Sequence, residues 1–237
     1  DESLYAGATT AIVMHDVGTG WTDLFPKATK SADHTLQALN EWKGATEEIH
    51  SFYSDNAPEL IKAARKAGWR MPTSTPGVPQ TNGLAEVTVR KVKEGTRTNV
   101  SQSGLTATWW KWCGKHHCFS RNMTIMNGTS PYFERHGIHC KALRIPFGAL
   151  VDYMPTPIPG KPPPFEMKTQ PGLFLGWHIN PGGVWSGDYH VADFKPFQTK
   201  PDAKPCHTKI SRTKEVVPPG KFSTLAYSLG EFRAKQQ

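Results

Sequence analysis

The sequence predicts an α/β protein in which helices flank a sheet, followed by a small β-rich module. Apolar, β-branched runs and amphipathic segments with helix-start signals succeed one another through residues 1–140. Six prolines then fall within residues 154–164, a composition typical of an extended loop. Beyond this loop, apolar and polar residues alternate as in strands. We therefore divide the chain into a core at 1–140, a β-rich module at 141–199, and a basic, partly irregular tail at 200–237.

Composition and charge limit the class of protein. The 237 residues include 28 Lys and Arg against 20 Asp and Glu, a formal net charge of +8. Most of this surplus lies in residues 141–237, and a basic excess suits a polyanionic partner. No apolar run is long enough for a membrane span, four cysteines fit a reducing compartment, and we expect no secretory leader. We expect a soluble intracellular protein without a membrane partner.

The first elements are expected to be two strands and a helix. Residues 9–14 are apolar and β-branched, residues 18–20 mark a turn, and residues 21–25 alternate large apolar with polar side chains. Ser31 is the expected N-cap of an amphipathic helix that ends near Trp42. This helix would cover the sheet.

Two acidic residues follow at the ends of predicted elements. Asp55 ends the strand-like residues 49–54, and Glu86 lies in the first turn of a helix predicted from Leu84 to about Val100. Between them we expect a helix over residues 58–67, a short strand at 69–71 and an irregular loop at 72–81. If the two acids meet, they suit hard divalent ions, since paired Mg²⁺ or Mn²⁺ ions stabilise in-line displacement at a phosphodiester.

A structural role is the alternative for each acid. Asp55 could cap the helix that follows, and Glu86 could be a favourable first-turn acid against the helix dipole.

The residues around these acids resemble the catalytic core of retroviral and retrotransposon integrases, most closely the copia-type elements. The matching segments are Ser-Asp-Asn at residues 54–56 and Pro-Gln-Thr-Asn-Gly-Leu-Ala-Glu at residues 79–86. The 30 residues between Asp55 and Glu86 are fewer than the family usually has. Residues 129–137, Thr-Ser-Pro-Tyr-Phe-Glu-Arg-His-Gly, also match the copia-type pattern of a short helix ending at glycine.

This resemblance implies an RNase H-like mixed sheet flanked by helices and a metal-dependent polynucleotidyl transferase. Asp55 and Glu86 would be catalytic residues that hold two Mg²⁺ or Mn²⁺ ions together with a further Asp. The implied reactions are DNA 3′-processing and strand transfer during retrotransposon integration. The implied partners are double-stranded DNA, as element ends and target, and further copies of the chain, with no small-molecule substrate. The implied location is the nucleus or a virus-like particle.

The family's first catalytic Asp lies on a strand before residues 9–14. We expect that strand to lie upstream of residue 1, so that the chain is an N-terminally truncated fragment and inactive by itself. Asp1 or Glu2 could replace the missing acid, and Asp16 follows the first apolar run. For Asp16, a polar residue at a strand end is the simpler interpretation.

Four residues are candidates for DNA contact. The resemblance suggests Gln80 and Asn82, in the loop that borders DNA in the family, although turn and N-cap chemistry explains Asn82 equally well. Arg90 and Lys93 follow Glu86 on the same predicted helix. A phosphate backbone could lie there, although such charges are usually a solvated helix face.

The second half of the core contains a Cys/His group. Thr106 is expected to cap a helix over residues 107–122, which carries Cys113, His116, His117 and Cys118. Zinc is one interpretation, but no second pair stands at zinc-finger spacing, and buried small cysteines with helix-face histidines are the alternative. Its three tryptophans are expected in the core.

The C-terminal module is predicted to be a small antiparallel sheet or barrel. Residues 145–153, 172–178 and 185–194 have strand patterns, the last two around a turn at 180–183. The copia-type proteins have a similar segment, whose likeness to the SH3-like end of retroviral integrases is suggestive. A non-catalytic nucleic-acid-binding relic of a retroelement is the alternative function for the whole chain.

Overall fold

The computed structural model describes residues 7–73, 83–155, 165, 167–218 and 227–234. It confirms the mixed α/β class: a two-stranded and a five-stranded antiparallel sheet pack with helices. In chain order the elements are β1 (Thr10–His15), β2 (Thr22–Lys27), α1 (Ala32–Lys43), α2 (Pro58–Ala67), α3 (Gly83–Ser103), α4 (Trp110–Asn122), α5 (Pro131–His136), β3 (Leu150–Tyr153), β4 (Gln170–Ile179), β5 (Trp185–Asp193), α6 (Lys195–Thr199), β6 (Ile210–Thr213), β7 (Val216–Val217) and α7 (Ser228–Ala234).

The two predicted N-terminal strands form a hairpin. Strand β1 pairs antiparallel with β2, with Ile12 opposite Phe25 and His15 opposite Thr22. Asp16 closes the turn between the strands, because its backbone N–H donates to Trp21 O at 2.8 Å. The predicted turn therefore lies where expected.

The strand predicted before Asp55 is only partly formed. Residues 49–54 make two isolated parallel bridges, Ser51 with Arg70 and Ser54 with Thr73, and no continuous strand. The short strand expected at residues 69–71 is likewise present only as the single bridge at Arg70. A continuous strand needs successive backbone hydrogen bonds to a neighbouring strand. Within the described residues, this segment pairs only with residues 70 and 73.

Capping residues fix the ends of α1 and α2 as predicted. The Ser31 side chain accepts a hydrogen bond from His34 N–H, and α2 starts with Pro58 in its first turn. Gly68 ends α2 in the left-handed region, with φ of 73°, a conformation that glycine adopts without a Cβ clash.

Helices α3 and α4 cross at close range. Helix α3 is a few residues longer than predicted, and a Cβ added to Gly95 would lie 1.9 Å from the His117 ring of α4. The single helix predicted from residue 107 divides into a 3₁₀ turn at Ala107–Trp109 and α4. Thr106 is the N-cap residue of this turn, as predicted, but its side chain makes no capping hydrogen bond.

The C-terminal part forms the five-stranded sheet, in the order β6-β5-β4-β3-β7. The turn after Asn180 joins β4 to β5, and Gly182 N–H donates to Glu41 O at the end of α1. The predicted strand at residues 145–153 begins only at Leu150. Two strands, β6 and β7, lie within residues 200–237, for which only a basic, partly irregular tail is predicted.

One large apolar cluster includes residues from both sides of the predicted boundary at 140. Trp21 and Phe119 lie in it beside Phe174 and Trp177, all at least nine-tenths buried. Helix α4 is the element between them, since it contacts both β2 and β4. Among the described residues, no helix is both long enough and apolar enough to cross a bilayer.

Candidate functional site

Asp55 stands where the bridged segment ends and α2 is about to begin. Its Oδ1 accepts a hydrogen bond from Ala57 N–H at 3.4 Å, and Ser54 Oγ donates to its backbone carbonyl at 2.8 Å. The carboxylate contact is longer than an ordinary N–H···O bond of about 2.7–3.2 Å. Asp55 therefore does not cap α2, whose N-cap residue is Ala57 and has no side-chain cap, and the Asp55 side chain is exposed.

Glu86 lies in the first turn of α3, three residues after Gly83. The positive end of the helix dipole favours a carboxylate at this position. The Glu86 side chain is exposed, so its interaction with the helix dipole does not involve burying the charge.

The structure brings these two acids to one cavity of about 1070 Å³. We call it the central cavity, and three walls define it: residues 12–17 of the hairpin, residues 47–55, and one face of α3 from Leu84 to Arg97. Asp55 is at the end of the second wall and Glu86 at the start of the third. Two residues separated by 30 positions in sequence therefore face the same space.

Basic side chains follow Glu86 along the same face of α3. Arg90, Lys93 and Arg97 line the central cavity and recur at helical spacing, while Lys91 does not line it. All four are exposed. The cavity wall thus begins with the Glu86 carboxylate and continues with three cations and one further carboxylate, Glu94, an arrangement that suits a metal at one end and an anionic chain beyond it.

Asp16 also lines the central cavity, but its carboxylate is committed to the hairpin turn. Its Oδ1 accepts from Gly18 N–H at 3.0 Å and its Oδ2 from the Thr19 hydroxyl at 2.6 Å. Burial raises the pKa of Asp16, and these hydrogen bonds outweigh burial, so the net pKa is lowered. This geometry favours the structural interpretation of Asp16. Within the part of the chain that the structure describes, no three Asp, Glu, His or Cys residues are grouped so as to hold a metal.

Four predicted residues cannot be placed. Gln80 and Asn82, the loop candidates for DNA contact, lie outside the described residues, and so do Asp1 and Glu2.

The Cys/His group of α4 does not converge on a zinc site. Cys113 Sγ donates to Thr96 O at 3.3 Å, and the His116 ring lies within 2.9 Å of Ile145 O. His117 faces Gly95, and Cys118 packs with Leu24 in a separate apolar cluster. Burial raises the pKa of both thiols, which fits the alternative of inert core cysteines.

Sequence patterns missed Arg135, which lies at the margin of the central cavity. Its guanidinium donates to Glu47 Oε2 at 2.6 Å and to Trp42 O at 2.7 Å, and it lies 5.1 Å from the Trp21 ring centroid. Only 4% of the Arg135 side chain is exposed. Burial raises the pKa of Glu47, and the neighbouring Arg135 offsets only part of that rise. The partners are about ninety positions apart, so no local pattern indicated them.

Comparison with known proteins gives structural neighbours only. No protein-family model matches the chain, and no curated protein matches it. The catalytic core domain of BIV integrase shares 18% identity over 54% of this chain and 86% of its own length, with a TM-score of 0.40. A chain of the simian T-cell lymphotropic virus intasome in complex with PP2A regulatory subunit B56 gamma shares 14% identity over 86% of this chain and 70% of its own length, with a TM-score of 0.43. Because both scores are low, the function proposed below depends on this chain's own residues.

Proposed function

We propose that the chain is part of a copia-type integrase with an RNase H-like core, a polynucleotidyl transferase that carries out DNA 3′-processing and strand transfer during retrotransposon integration. One observation carries the proposal: Asp55 and Glu86, the two acids of the motif, line the same cavity. If each acid had only a structural role, Asp55 and Glu86 would not need to line the same cavity.

The carboxylates fit part of a divalent-metal site. Both are exposed and offer the oxygen ligands that Mg²⁺ and Mn²⁺ prefer. Asp55 and Glu86 would hold the ions, which when bound stabilise the attacking and leaving oxygens of phosphodiester displacement. A site for two ions needs at least one more acid, and Asp16 is a poor candidate because its carboxylate closes the turn. The chain alone is expected to be inactive, because the resemblance implies a further Asp besides Asp55 and Glu86.

Helix α3 supplies the surface for DNA. Arg90 and Lys93 line the central cavity together with the two acids and would contact phosphates of double-stranded DNA. Element ends and target DNA are the expected ligands, bound by more than one copy of the chain in the nucleus or a virus-like particle.

A shared cation can be tested directly with Mn²⁺, whose unpaired electrons broaden NMR signals of nearby nuclei. We expect Mn²⁺ to broaden amide signals around Asp55 and Glu86 together. Asp55→Asn and Glu86→Gln should each remove the effect at both positions. Glu94→Gln is the matched control, because Glu94 lines the same cavity two turns further along α3. Broadening at Glu86 that survives Asp55→Asn would contradict a shared ion.

Strand transfer is tested in a form of the chain that continues upstream of residue 1. That form is expected to join DNA ends in Mg²⁺, and Asp55→Asn should abolish the reaction. Asp33→Asn is the control, because Asp33 is an exposed acid outside the cavity lining. Equal activity of the Asp55→Asn protein and its parent would end the proposal.

A non-catalytic nucleic-acid-binding relic is the second candidate. It is favoured by the lack of a three-acid group among the described residues. A relic would bind DNA equally well with Mg²⁺ or with a chelator and would not join DNA ends. DNA binding measured with Mg²⁺ and with a chelator, together with the strand-transfer assay, therefore separates the candidates.

A further inference from the structure

Two histidines meet where strands β4 and β5 pair. The strands run antiparallel, with Gly176 opposite His190 and Trp177 opposite Tyr189, and the pairing is irregular beyond Trp177. His178 lies at this irregularity. Its Nδ1 is 3.1 Å from His190 Nε2, and the centroids of the two rings are 5.1 Å apart. One nitrogen of each ring is therefore directed at the other ring.

The distances between the two rings suit ligands of one shared metal ion. An imidazole nitrogen lies about 2.0–2.1 Å from Zn²⁺ in a tetrahedral site, which places two such nitrogens about 3.3 Å apart and their ring centroids about 5.2 Å apart. A straight N–H···N hydrogen bond of the observed length would place the centroids about 5.4 Å apart. The observed separation of 5.1 Å is closer to the arrangement around a shared ion.

A small cavity beside the two rings has room for the remaining ligands. It has a volume of about 60 Å³ and is lined by both histidines, by side chains of α4 and by residues 175–179 of β4. We call it the histidine cavity. A water molecule's share of liquid volume is about 30 Å³, so the histidine cavity can take about two. A tetrahedral ion with two imidazole ligands needs two more, and water can supply both, so the site does not depend on a three-residue ligand group, which the described residues lack.

The charges around the histidine cavity favour a cation. Asp23 and Glu41 line it, and both pair with Lys115, at 3.2 and 3.5 Å. On β5, the buried Asp188 pairs with Arg212 through Oδ2 only, and its Oδ1 has no hydrogen-bond partner among the described residues. Three carboxylates against two cations leave a net charge of −1 beside the two rings.

Both rings are in the protonation state that binds a metal. Burial lowers the pKa of His190 to about 3, and burial together with the nearby Arg212 lowers the pKa of His178. Both imidazoles are therefore neutral at neutral pH, as metal ligands must be. His190 is only 3% exposed, and its Nδ1 has no hydrogen-bond partner within the described residues, so no other polar group holds the ring away from His178.

We propose that His178 Nδ1 and His190 Nε2 bind one Zn²⁺ ion, and that two waters in the histidine cavity complete its tetrahedral shell. Imidazole nitrogen is a ligand that Zn²⁺ prefers, whereas Mg²⁺ prefers carboxylate oxygen. The ion ties β4 to β5 at the point where the pairing of their backbones is irregular. Neither histidine lines the central cavity, so this inference does not depend on the proposed activity.

Isothermal titration calorimetry of the untagged chain with Zn²⁺ tests the proposal. Excess Mg²⁺ is present throughout, because it occupies sites made of carboxylates. We expect one Zn²⁺ per chain, and at least tenfold weaker binding for His178→Gln, whose side chain is half-buried. His207→Gln is the matched control, because His207 is exposed and its Nδ1 lies 3.8 Å from Cys206 Sγ, a second place where Zn²⁺ could find nitrogen and sulfur ligands. This variant should bind Zn²⁺ as tightly as the parent.

A second measurement needs no variant and so does not depend on the folding of His178→Gln. Long-range ¹H–¹⁵N NMR spectra of the parent should show that Zn²⁺ shifts the ring signals of His178 Nδ1 and His190 Nε2 and leaves those of His207 unchanged. Three outcomes would overturn the proposal. They are a parent that binds no Zn²⁺, equal binding by His178→Gln and the parent, and shifts or losses confined to His207, which would place the ion at Cys206.

Discussion

The carboxamide of Asn122 pairs with the backbone of Thr22 across 100 positions of sequence. Its Oδ1 accepts from Thr22 N–H at 3.1 Å, and its Nδ2 donates to Thr22 O at 2.8 Å. The Asn122 side chain, at the end of α4, thereby satisfies the backbone N–H and C=O of Thr22 in β2. Asn122 is only 1% exposed, so water cannot easily replace it.

Asn122→Ala should destabilise the protein, since each buried backbone group left unpaired costs about 1–3 kcal/mol. Urea unfolding followed by tryptophan fluorescence measures the loss. Asn122→Asp should also be destabilising, because it loses the donor to Thr22 O and places an ionisable carboxyl at a buried position. Asn40→Ala, at an exposed position of α1, is the control. An unchanged urea midpoint for Asn122→Ala would contradict the role of this pair.

Arg135→Ala should cost about 3–5 kcal/mol of unfolding free energy, because it leaves the half-buried Glu47 carboxylate without its partner. Arg135→Lys retains the charge but not the planar contact with Trp21, so a smaller loss is expected. The exposed Arg121→Ala is the control. If the double variant Arg135→Ala/Glu47→Gln recovers no stability over Arg135→Ala, the ion pair is not the cause.

Gly95→Ala should be destabilising although alanine favours helices, because the added Cβ would overlap the His117 ring. Overpacking of this kind costs about 1–3 kcal/mol. The double variant Gly95→Ala/His117→Ala removes the clash and should regain the helix advantage of alanine over glycine, about 0.5–1 kcal/mol. Thermal unfolding of the single and double variants measures the coupling. Additive effects would show that the two residues do not constrain each other.

Stability should fall as the pH is lowered from about 6.5 to about 4 and below. Burial lowers the pKa of His116 to about 4 and, with His178 as a further cause, that of His190 to about 3, whereas an unfolded histidine has a pKa of about 6.5. The unfolded chain therefore binds more protons in this window, so the stabilisation is complete above pH 6.5 and is lost as pH falls.

His116→Gln measures the contribution of one histidine. The slope of unfolding free energy against pH should decrease by up to one proton, about 1.4 kcal/mol per pH unit. The exposed His207→Gln is the control. A slope unchanged by His116→Gln would place the acid sensitivity elsewhere.

Arg90→Ala and Lys93→Ala should each weaken DNA binding and reduce its salt dependence by about one released counterion. Lys91→Ala is the matched control, because Lys91 is exposed on the same helix but does not line the central cavity. Fluorescence anisotropy with labelled duplex DNA at several salt concentrations provides the measurement. Equal losses for all three variants would indicate a diffuse charge effect without a binding face.

Local chemistry made the helices predictable. Ser31, Pro58 and Gly68 act through neighbours in sequence, and the structure confirms their positions at helix ends. Residues 49–54 have a strand composition, but a strand also needs partners on its edges, which composition does not reveal. The contacts of Arg135 with Trp21, Trp42 and Glu47 join residues that are far apart in sequence. No local sequence pattern therefore predicted them. The juxtaposition of Asp55 and Glu86 at one cavity followed only from the resemblance.

The turn between β4 and β5 rests directly on the N-terminal half. Gly182 donates to Glu41 O, and a Cβ at Gly183 would lie 2.6 Å from the Trp21 ring. The contact leaves no room for a methyl group at Gly183. Separating residues 1–140 from residues 141–237 would therefore expose the Trp21 ring. Heat should therefore melt the chain in one cooperative transition, and either half produced alone should aggregate.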